Sequence, residues 1–317
     1  MHDEEIRARR MIAHYLSPSD AHPQPKSLSD VAFQMMATQG QNYAGGLQGL
    51  AVRTGVHELY TGTIQSHLDD CLKNYEVIRT WSQRGTLHFL HKDNAWIVAV
   101  IGKRGLGTIK ASAQRFGITE QEYSEILERT VQLCVTPRSR QQLRDHLGID
   151  SSLLSNVMRR LGRTGDLIQG AKTGNHDTFI RADAAGCDMN RDASIETLVT
   201  NYFSTRGPAH IVDCAWWSTL PKTVVRREAR KAVDSGALLE VSPDVFMGSW
   251  QNNVSDSDIA AALQLHIQLP PFDEYLMSYT QRDVLFFPQC DPLSVLTKNG
   301  ISWPFMVSGG VIIGRSS

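Results

Sequence analysis

No apolar run in this 317-residue sequence is long enough to cross a bilayer. The start, Met1-His2-Asp3-Glu4-Glu5, also lacks the basic-then-apolar order of a signal peptide. These absences exclude a membrane-spanning or secreted reading, and a cytoplasmic location is expected. Cysteine is scarce: Cys71, Cys134, Cys187, Cys214 and Cys290 are odd in number and far apart in sequence. That pattern excludes a disulfide framework and a zinc knuckle, so the cysteines read as small buried apolar residues, and no metal or cofactor is expected. Neither sign of charge dominates, with 32 Lys and Arg against 33 Asp and Glu. Binding driven by bulk positive charge is excluded, although local basic faces are not. Heptad runs are absent too, which speaks against a dimerisation helix, and a monomer is expected. What remains, 41% apolar and 21% charged residues, is an ordinary globular composition with length for two or three domains.

After a mobile start containing Arg7, Arg9 and Arg10, the proline-rich segment Ser17 to Pro25 predicts loop. Leu28, Val31, Ala32, Met35 and Met36 share one helix face, with Ser27 and Asp30 placed as a cap. Further helices are predicted near Leu47 to Arg53 and Ile64 to Leu72. Alternation then turns strand-like in Val77 to Trp81 and Thr86 to Leu90, around a turn at Gln83-Arg84-Gly85. Helices followed by a hairpin outline a winged helix, and the outline recurs. After a helical stretch from Ala95 to Cys134, helices from Pro137 to His146 and Ser151 to Thr164 precede strands Leu167 to Gln169 and Thr178 to Arg181. A third copy runs from a helix at Ser194, ended by Arg206-Gly-Pro208, through helices Ile211 to Ser218 and Lys222 to Val233. Its strands are Ala237 to Val241 and Val245 to Met247, around Ser242-Pro-Asp244. Residues 251 to 258 read as a polar linker, and the remainder as mainly strand and loop. The expected fold is α+β, predominantly helical: winged helices at 1–94, 95–190 and 191–250, then a mainly β segment at 251–317.

Winged helices most often bind duplex DNA. Basic residues fit that use in the second copy, where Arg138, Arg140, Arg144, Arg159, Arg160, Arg163 and Lys172 outnumber Asp145, Asp150 and Asp166. In the third copy Lys222, Arg226, Arg227, Arg230 and Lys231 crowd one helix. Either cluster alone also suits a solvated helix face. Where the helix from Leu28 breaks, Thr38-Gln39-Gly40-Gln41-Asn42 offers two primary amides one residue apart. A helix would aim them to nearly opposite sides, whereas an extended or turning backbone can point both at one spot. Spacing alone also fits a plain polar helix end.

Four landmarks resemble a known family, the AlkZ/YcaQ-type winged-helix DNA glycosylases. They are Met36-Ala-Thr-Gln-Gly-Gln-Asn-Tyr-Ala44, Arg79-Thr-Trp-Ser-Gln-Arg-Gly-Thr-Leu-His88, Gly207-Pro-Ala-His-Ile-Val-Asp-Cys-Ala-Trp-Trp217 and Leu269-Pro-Pro-Phe-Asp-Glu-Tyr-Leu276. Their order and spacing match across nearly the whole chain. The resemblance implies three tandem winged helices whose concave face holds double-stranded DNA, and monofunctional removal of bulky N7- or N3-alkylated purines, including crosslinks made by natural products. It suggests self-resistance in a producer of a DNA-alkylating compound. The family's Gln, apolar residue, Gln motif falls on Gln39 and Gln41 as catalytic residues, with Gly40 where a larger apolar residue is usual. The chain ends at Gly310-Val-Ile-Ile-Gly-Arg-Ser-Ser317, where similar proteins continue, so a shortened or divergent end is expected.

Glutamine suits this substrate class. N7 alkylation leaves a cationic base that is already a good leaving group, so the work left is placing water at C1′ and favouring an oxocarbenium-like transition state. A carboxamide accepts and donates hydrogen bonds without taking a proton away. Sugar hydrolases, whose leaving groups need an acid, use carboxylates instead. Expected DNA contacts are Arg84, His88, Arg226, Arg227 and Arg282, with His88 also suiting a satisfied structural position. Trp216 and Trp217 read as packing aromatics, and Asp273, Glu274 and Tyr275 as groups that tie local structure together. A non-catalytic protein that binds or sequesters lesions is the alternative from another class. A transcription regulator is a third.

Overall fold

The computed structural model describes residues 1–55, 70–189 and 194–316, without the Asp283 side chain. It is α+β, with helices joined to small antiparallel sheets, and divides into two compact units, residues 1–65 with 193–317 and residues 66–192.

In the first unit the chain begins with a helix, Asp3–Ala13, and not with the mobile start expected. Its acidic first turn, Asp3, Glu4 and Glu5, opposes the positive end of the helix dipole. Ala8, Met11 and Ile12 form a fully buried face packed on helices Ile195–Arg206 and Asp256–Gln264. The helix Leu28–Gln34 is capped by Ser27, whose hydroxyl accepts the Asp30 N–H at 3.0 Å. The next helix, Tyr43–Val52, begins at Tyr43 and not at Leu47, because Asn42 caps it through the Gly45 N–H at 2.9 Å. Asn42 thus ends the amide loop and starts the helix. The helix expected at Ile64 to Leu72 falls mainly on residues 56–69, outside the described residues.

The expected helices of the third copy are present as Ile195–Arg206, Ile211–Ser218 and Lys222–Asp234. The strands Leu238–Ser242 and Val245–Gly248 turn through Asp244 at φ 61°, and Ala209–His210 pairs with the second of them. Residues 251–258 are not a linker. A short 3-10 turn, Ser249–Asn253, leads to the helix Asp256–Gln264, started by a reciprocal cap between Ser255 and Asp258. The expected β segment supplies His266–Leu269, Phe305–Ser308 and Val311–Arg315 as one antiparallel sheet, together with short helices Glu274–Met277 and Pro292–Val295.

Among its described residues the second unit carries strands in the order Leu87–His91, Val77–Trp81, Leu167–Gln169, Thr178–Arg181, Arg138–Ser139. The first two expected hairpins therefore share one sheet, joined where Arg79 pairs with Gln169 and its guanidinium donates to the Gln169 carboxamide at 2.8 Å. The helical stretch expected from Ala95 to Cys134 comprises a π turn, Val98–Gly102, and helices Ile109–Phe116 and Glu120–Leu133. Gly117, at φ 69°, ends the first of these helices, and a Thr119–Glu122 capping box begins the second. Leu154, Val157 and Met158 of helix Ser151–Thr164 share one buried core cluster with Tyr123 and Phe179.

Candidate active site

The loop Thr38-Gln39-Gly40-Gln41 lies between helices Leu28–Gln34 and Tyr43–Val52, with Thr38–Gln39 in extended conformation. Gln39 is 5% exposed, whereas Gln41 is exposed. The backbone N–H of Gln41 donates to the Gln39 carboxamide oxygen at 3.2 Å, so the side chain of one glutamine shapes the backbone that presents the other. Met36, at φ 59°, turns the chain just before the loop. That turn lets the carbonyls of Met35 and Ala37 converge on one nitrogen of Arg206, Nη2, at 3.1 and 2.8 Å. On the other side, the Gln39 N–H donates to Glu274 Oε1 at 2.9 Å.

Arg206 and Glu274 form an ion pair at 3.2 Å with side chains 0% and 1% exposed. Both are heavily bonded beyond that contact. Glu274 Oε2 accepts from Trp217 Nε1 at 3.2 Å and Ser278 Oγ at 2.9 Å. Arg206 donates from Nε to Ser278 Oγ at 3.1 Å and from Nη1 to Thr205 Oγ1 at 2.8 Å, and its guanidinium lies 4.5 Å from the Trp217 ring centroid. Trp217 is thus the core aromatic expected, and it also carries a polar contact to the carboxylate beneath the loop.

A second buried pair lies alongside. Arg53, the C-cap of helix Tyr43–Val52, grips Asp273 through two hydrogen bonds at 2.8 and 2.9 Å, and also donates to the Gly49 carbonyl at 2.6 Å. Asp273 caps the short helix after it by accepting the Tyr275 N–H at 2.8 Å. Burial alone would make Arg53 easier to deprotonate, but the Asp273 charge and hydrogen bonds outweigh it and hold the guanidinium more firmly protonated than usual. A Cβ on Gly49 would sit 3.3 Å from Asp273 Oδ2, so a glycine admits this close approach.

His14 joins the two pairs. Its Nδ1 faces Arg53 Nη2 at 3.5 Å, and its Nε2 lies 2.9 Å from the Tyr279 hydroxyl. That hydroxyl spends its one proton on the Arg206 carbonyl at 2.7 Å, so it accepts from His14. Nε2 therefore carries the hydrogen and the ring is neutral. Burial first, and then the charges of Arg53, Arg206 and Arg10, hold the His14 pKa well below 6.5. Asp273 and Glu274 tie the loop and its helix to the C-terminal segment, as the sequence suggests. Arg206, Arg53, His14 and Tyr279 were not singled out there for this role. A usable signal existed for Arg206, which follows Val199 and Phe203 on the buried face of its own helix.

The residues expected to meet DNA fare differently. His88 is 0% exposed on its strand, with Nδ1 donating to the Thr86 carbonyl at 3.0 Å. A ring without exposure fits the structural position that the sequence also allows for His88. Arg84 is half-buried at the hairpin turn with φ 54°. Arg226 makes a two-pronged pair with Asp244 at 2.8 and 2.7 Å, which ties its helix to the hairpin turn. Arg227, 61% exposed, bonds Glu228 at 2.7 Å, and a shallow depression on this helix is lined by Arg226, Arg227, Arg230 and Lys231. Arg282 donates to the Leu276 carbonyl at 3.0 Å and lies 5.4 Å from the Trp216 ring centroid. Among the described residues no cluster of three or more His, Cys, Asp or Glu has the geometry to hold a metal, and no helix is long and apolar enough to cross a membrane.

By comparison with known proteins the chain falls in the class of DNA glycosylases, hydrolases acting on N-glycosyl bonds. More narrowly, the chain belongs to the AlkZ-like DNA glycosylase family, whose model matches residues 35–317. It is 23% identical over 329 aligned positions to the interstrand DNA cross-link repair glycosylase of Streptomyces sahachiroi, covering 98% of this chain and 86% of that protein. The solved structure of the Streptomyces sahachiroi DNA glycosylase AlkZ is similar in fold, with a TM-score of 0.72 at 21% identity over 98% of this chain and 86% of that one.

Proposed function

We propose that this protein is a monofunctional glycosylase that hydrolyses the N-glycosidic bond of bulky N7- or N3-alkylated purines in double-stranded DNA. Unhooking of interstrand crosslinks falls within the same chemistry, and self-resistance to an alkylating natural product is the biological setting it fits. The helix-and-hairpin segments serve as winged helices. Gln39 and Gln41 are the catalytic pair.

The observation that carries the reading is the coupling of the two amides. Gln39 is buried and orders the loop through the Gln41 N–H, while Gln41 is exposed at its tip. Gln41 is the amide that meets water and the sugar, and Gln39 is the one that fixes where it stands. Such a pair orients a nucleophile and stabilises developing positive charge, which is what a pre-activated cationic base requires. Arg227, with Arg226, Arg230 and Lys231, offers phosphate contacts, and Arg84 and Arg282 are further candidates.

The test is incubation with duplex oligonucleotides carrying different alkylguanines, with released bases identified by mass and abasic sites scored by alkaline cleavage. Gln39→Ala and Gln41→Ala should each slow single-turnover excision by about 100-fold or more, the scale seen when one transition-state contact is removed. Duplex binding should persist. Undiminished excision by both variants sinks the assignment, and tight, salt-sensitive binding with no abasic product points to lesion sequestration instead.

A further inference from the structure

We infer that the buried Arg206–Glu274 pair is the clamp that positions the Gln39-Gly40-Gln41 loop for hydrolysis, which makes both of them positioning residues of the reaction. The inference rests on the reading of Gln39 and Gln41 given above.

A glycine at the centre of the loop leaves the backbone broad conformational freedom. Three backbone groups on its N-terminal side are nonetheless fixed by one ion pair: the carbonyls of Met35 and Ala37 by Arg206, and the Gln39 N–H by Glu274. The pair itself is held on several sides, by Trp217, Ser278 and Thr205. A buried ion pair is a poor device for stability alone, since an apolar pair of similar volume often does as well. An apolar pair cannot hold two carbonyls and an N–H of a loop. The neighbouring Arg53–Asp273 pair makes the contrast, because its hydrogen bonds go to Gly49 and Tyr275 and not to the amide loop. The chemistry of Glu274 is also specific. Donors converge on it from Gln39, Arg206, Trp217 and Ser278, so the position calls for a group that only accepts.

Two variants test the clamp. Arg206→Lys keeps the charge opposite Glu274, but one ammonium cannot span the two carbonyls, Ser278 and Thr205 together. Glu274→Gln keeps the shape and turns one accepting oxygen into a donor that faces other donors. Each should bind lesion-bearing duplex within about threefold of the parent and lose about 30-fold or more in single-turnover rate at saturating protein, a loss in the chemical step and not in binding. A double-mutant cycle separates positioning from general weakening. Gln39→Ala combined with Arg206→Lys should be no more than about threefold slower than Gln39→Ala alone, because the clamp acts through that residue. Parent-like rates in both clamp variants, or losses that multiply in the double variant, overturn the inference.

If neither clamp variant folds, Trp217→Phe and Ser278→Ala remove one donor each from Glu274 without unpairing a charge. Each should slow excision about three- to tenfold with duplex binding unchanged and show the same non-additivity with Gln39→Ala; unchanged rates in both overturn the clamp. A slow Gln39→Ala beside a fast Arg206→Lys refutes the clamp alone. A fast Gln39→Ala refutes the catalytic reading beneath it and the clamp with it.

Discussion

Replacing Arg53 with Met should destabilise the fold by about 3–4 kcal/mol at pH 7, and the loss should narrow below pH 6.5. The side chains of Arg53 and Asp273 are 1% and 0% exposed, so the variant strands a carboxylate without water and with the Tyr275 N–H among its remaining donors. Two charge-assisted hydrogen bonds to Asp273 are lost, each worth about 1.5–3 kcal/mol, together with the one to the Gly49 carbonyl. The Arg53 charge is, after burial, a cause of the depressed His14 pKa, so its loss makes His14 easier to protonate. The stability that the parent loses as pH falls below 6.5 is lost less steeply by the variant, and the difference between them should narrow in mild acid. Urea unfolding of both proteins at pH 7 and pH 5, with matched slopes, measures the difference. A difference below about 1 kcal/mol at pH 7 refutes the account of a stranded charge, and one that does not narrow at pH 5 refutes the coupling to His14.

Two further outcomes follow from the same contacts. The pKa of buried His14 lies well below 6.5, and that of His22, stacked between Tyr15 and Trp250, is lowered to about 4, chiefly by burial. The unfolded chain therefore binds more protons just below pH 6.5, and stability that is complete above that value should fall as pH drops, by up to about 2.7 kcal/mol per unit when both rings contribute. Melting temperatures of the parent and a His14→Gln variant from pH 7.5 to 5 check this, a slope unchanged in the variant counting against it. Asp244→Asn, which keeps a residue tolerant of φ 61°, releases Arg226 from its two-pronged pair. The salt dependence of duplex binding should then steepen by up to about 0.9 in log–log slope, while loss of a solvent-screened pair of this kind should leave the stability of the fold little changed. An unaltered slope would remove Arg226 from the list of phosphate contacts.

Periodicity made most elements legible. The helices Ser151–Thr164 and Ile195–Arg206 and the hairpin strands Val77–Trp81 and Leu167–Gln169 follow from the spacing of their apolar residues. What failed was local chemistry passed over in favour of composition. Ser255-Asp-Ser-Asp258 looks like a polar linker by residue type, yet it is a helix cap by spacing. The arginines of the first helix suggested a mobile tail, although Arg9 reaches the Gln251 carbonyl at 2.7 Å and Arg10 the Pro208 carbonyl at 2.8 Å. Long-range partners of this kind leave no trace in local sequence. Of the site, the two glutamines and the acidic pair Asp273 and Glu274 stood out as motifs, while Arg53 and Arg206 did not. A lone arginine at a helix end looks like a dipole partner, and only tertiary structure turns it into the counter-ion of a carboxylate far along the chain.

That distance orders events in the cell. The Gln39 N–H bonds a carboxylate 235 positions later, so during synthesis the amide loop waits for its partner. At about 5–20 residues per second the delay is roughly 12–47 s. A nascent chain, or one terminated before Glu274, would display Gln39 and Gln41 without the carboxylate that holds the Gln39 N–H. For an enzyme that cuts bases out of the genome, the proposed clamp would thus leave such fragments without an ordered amide loop.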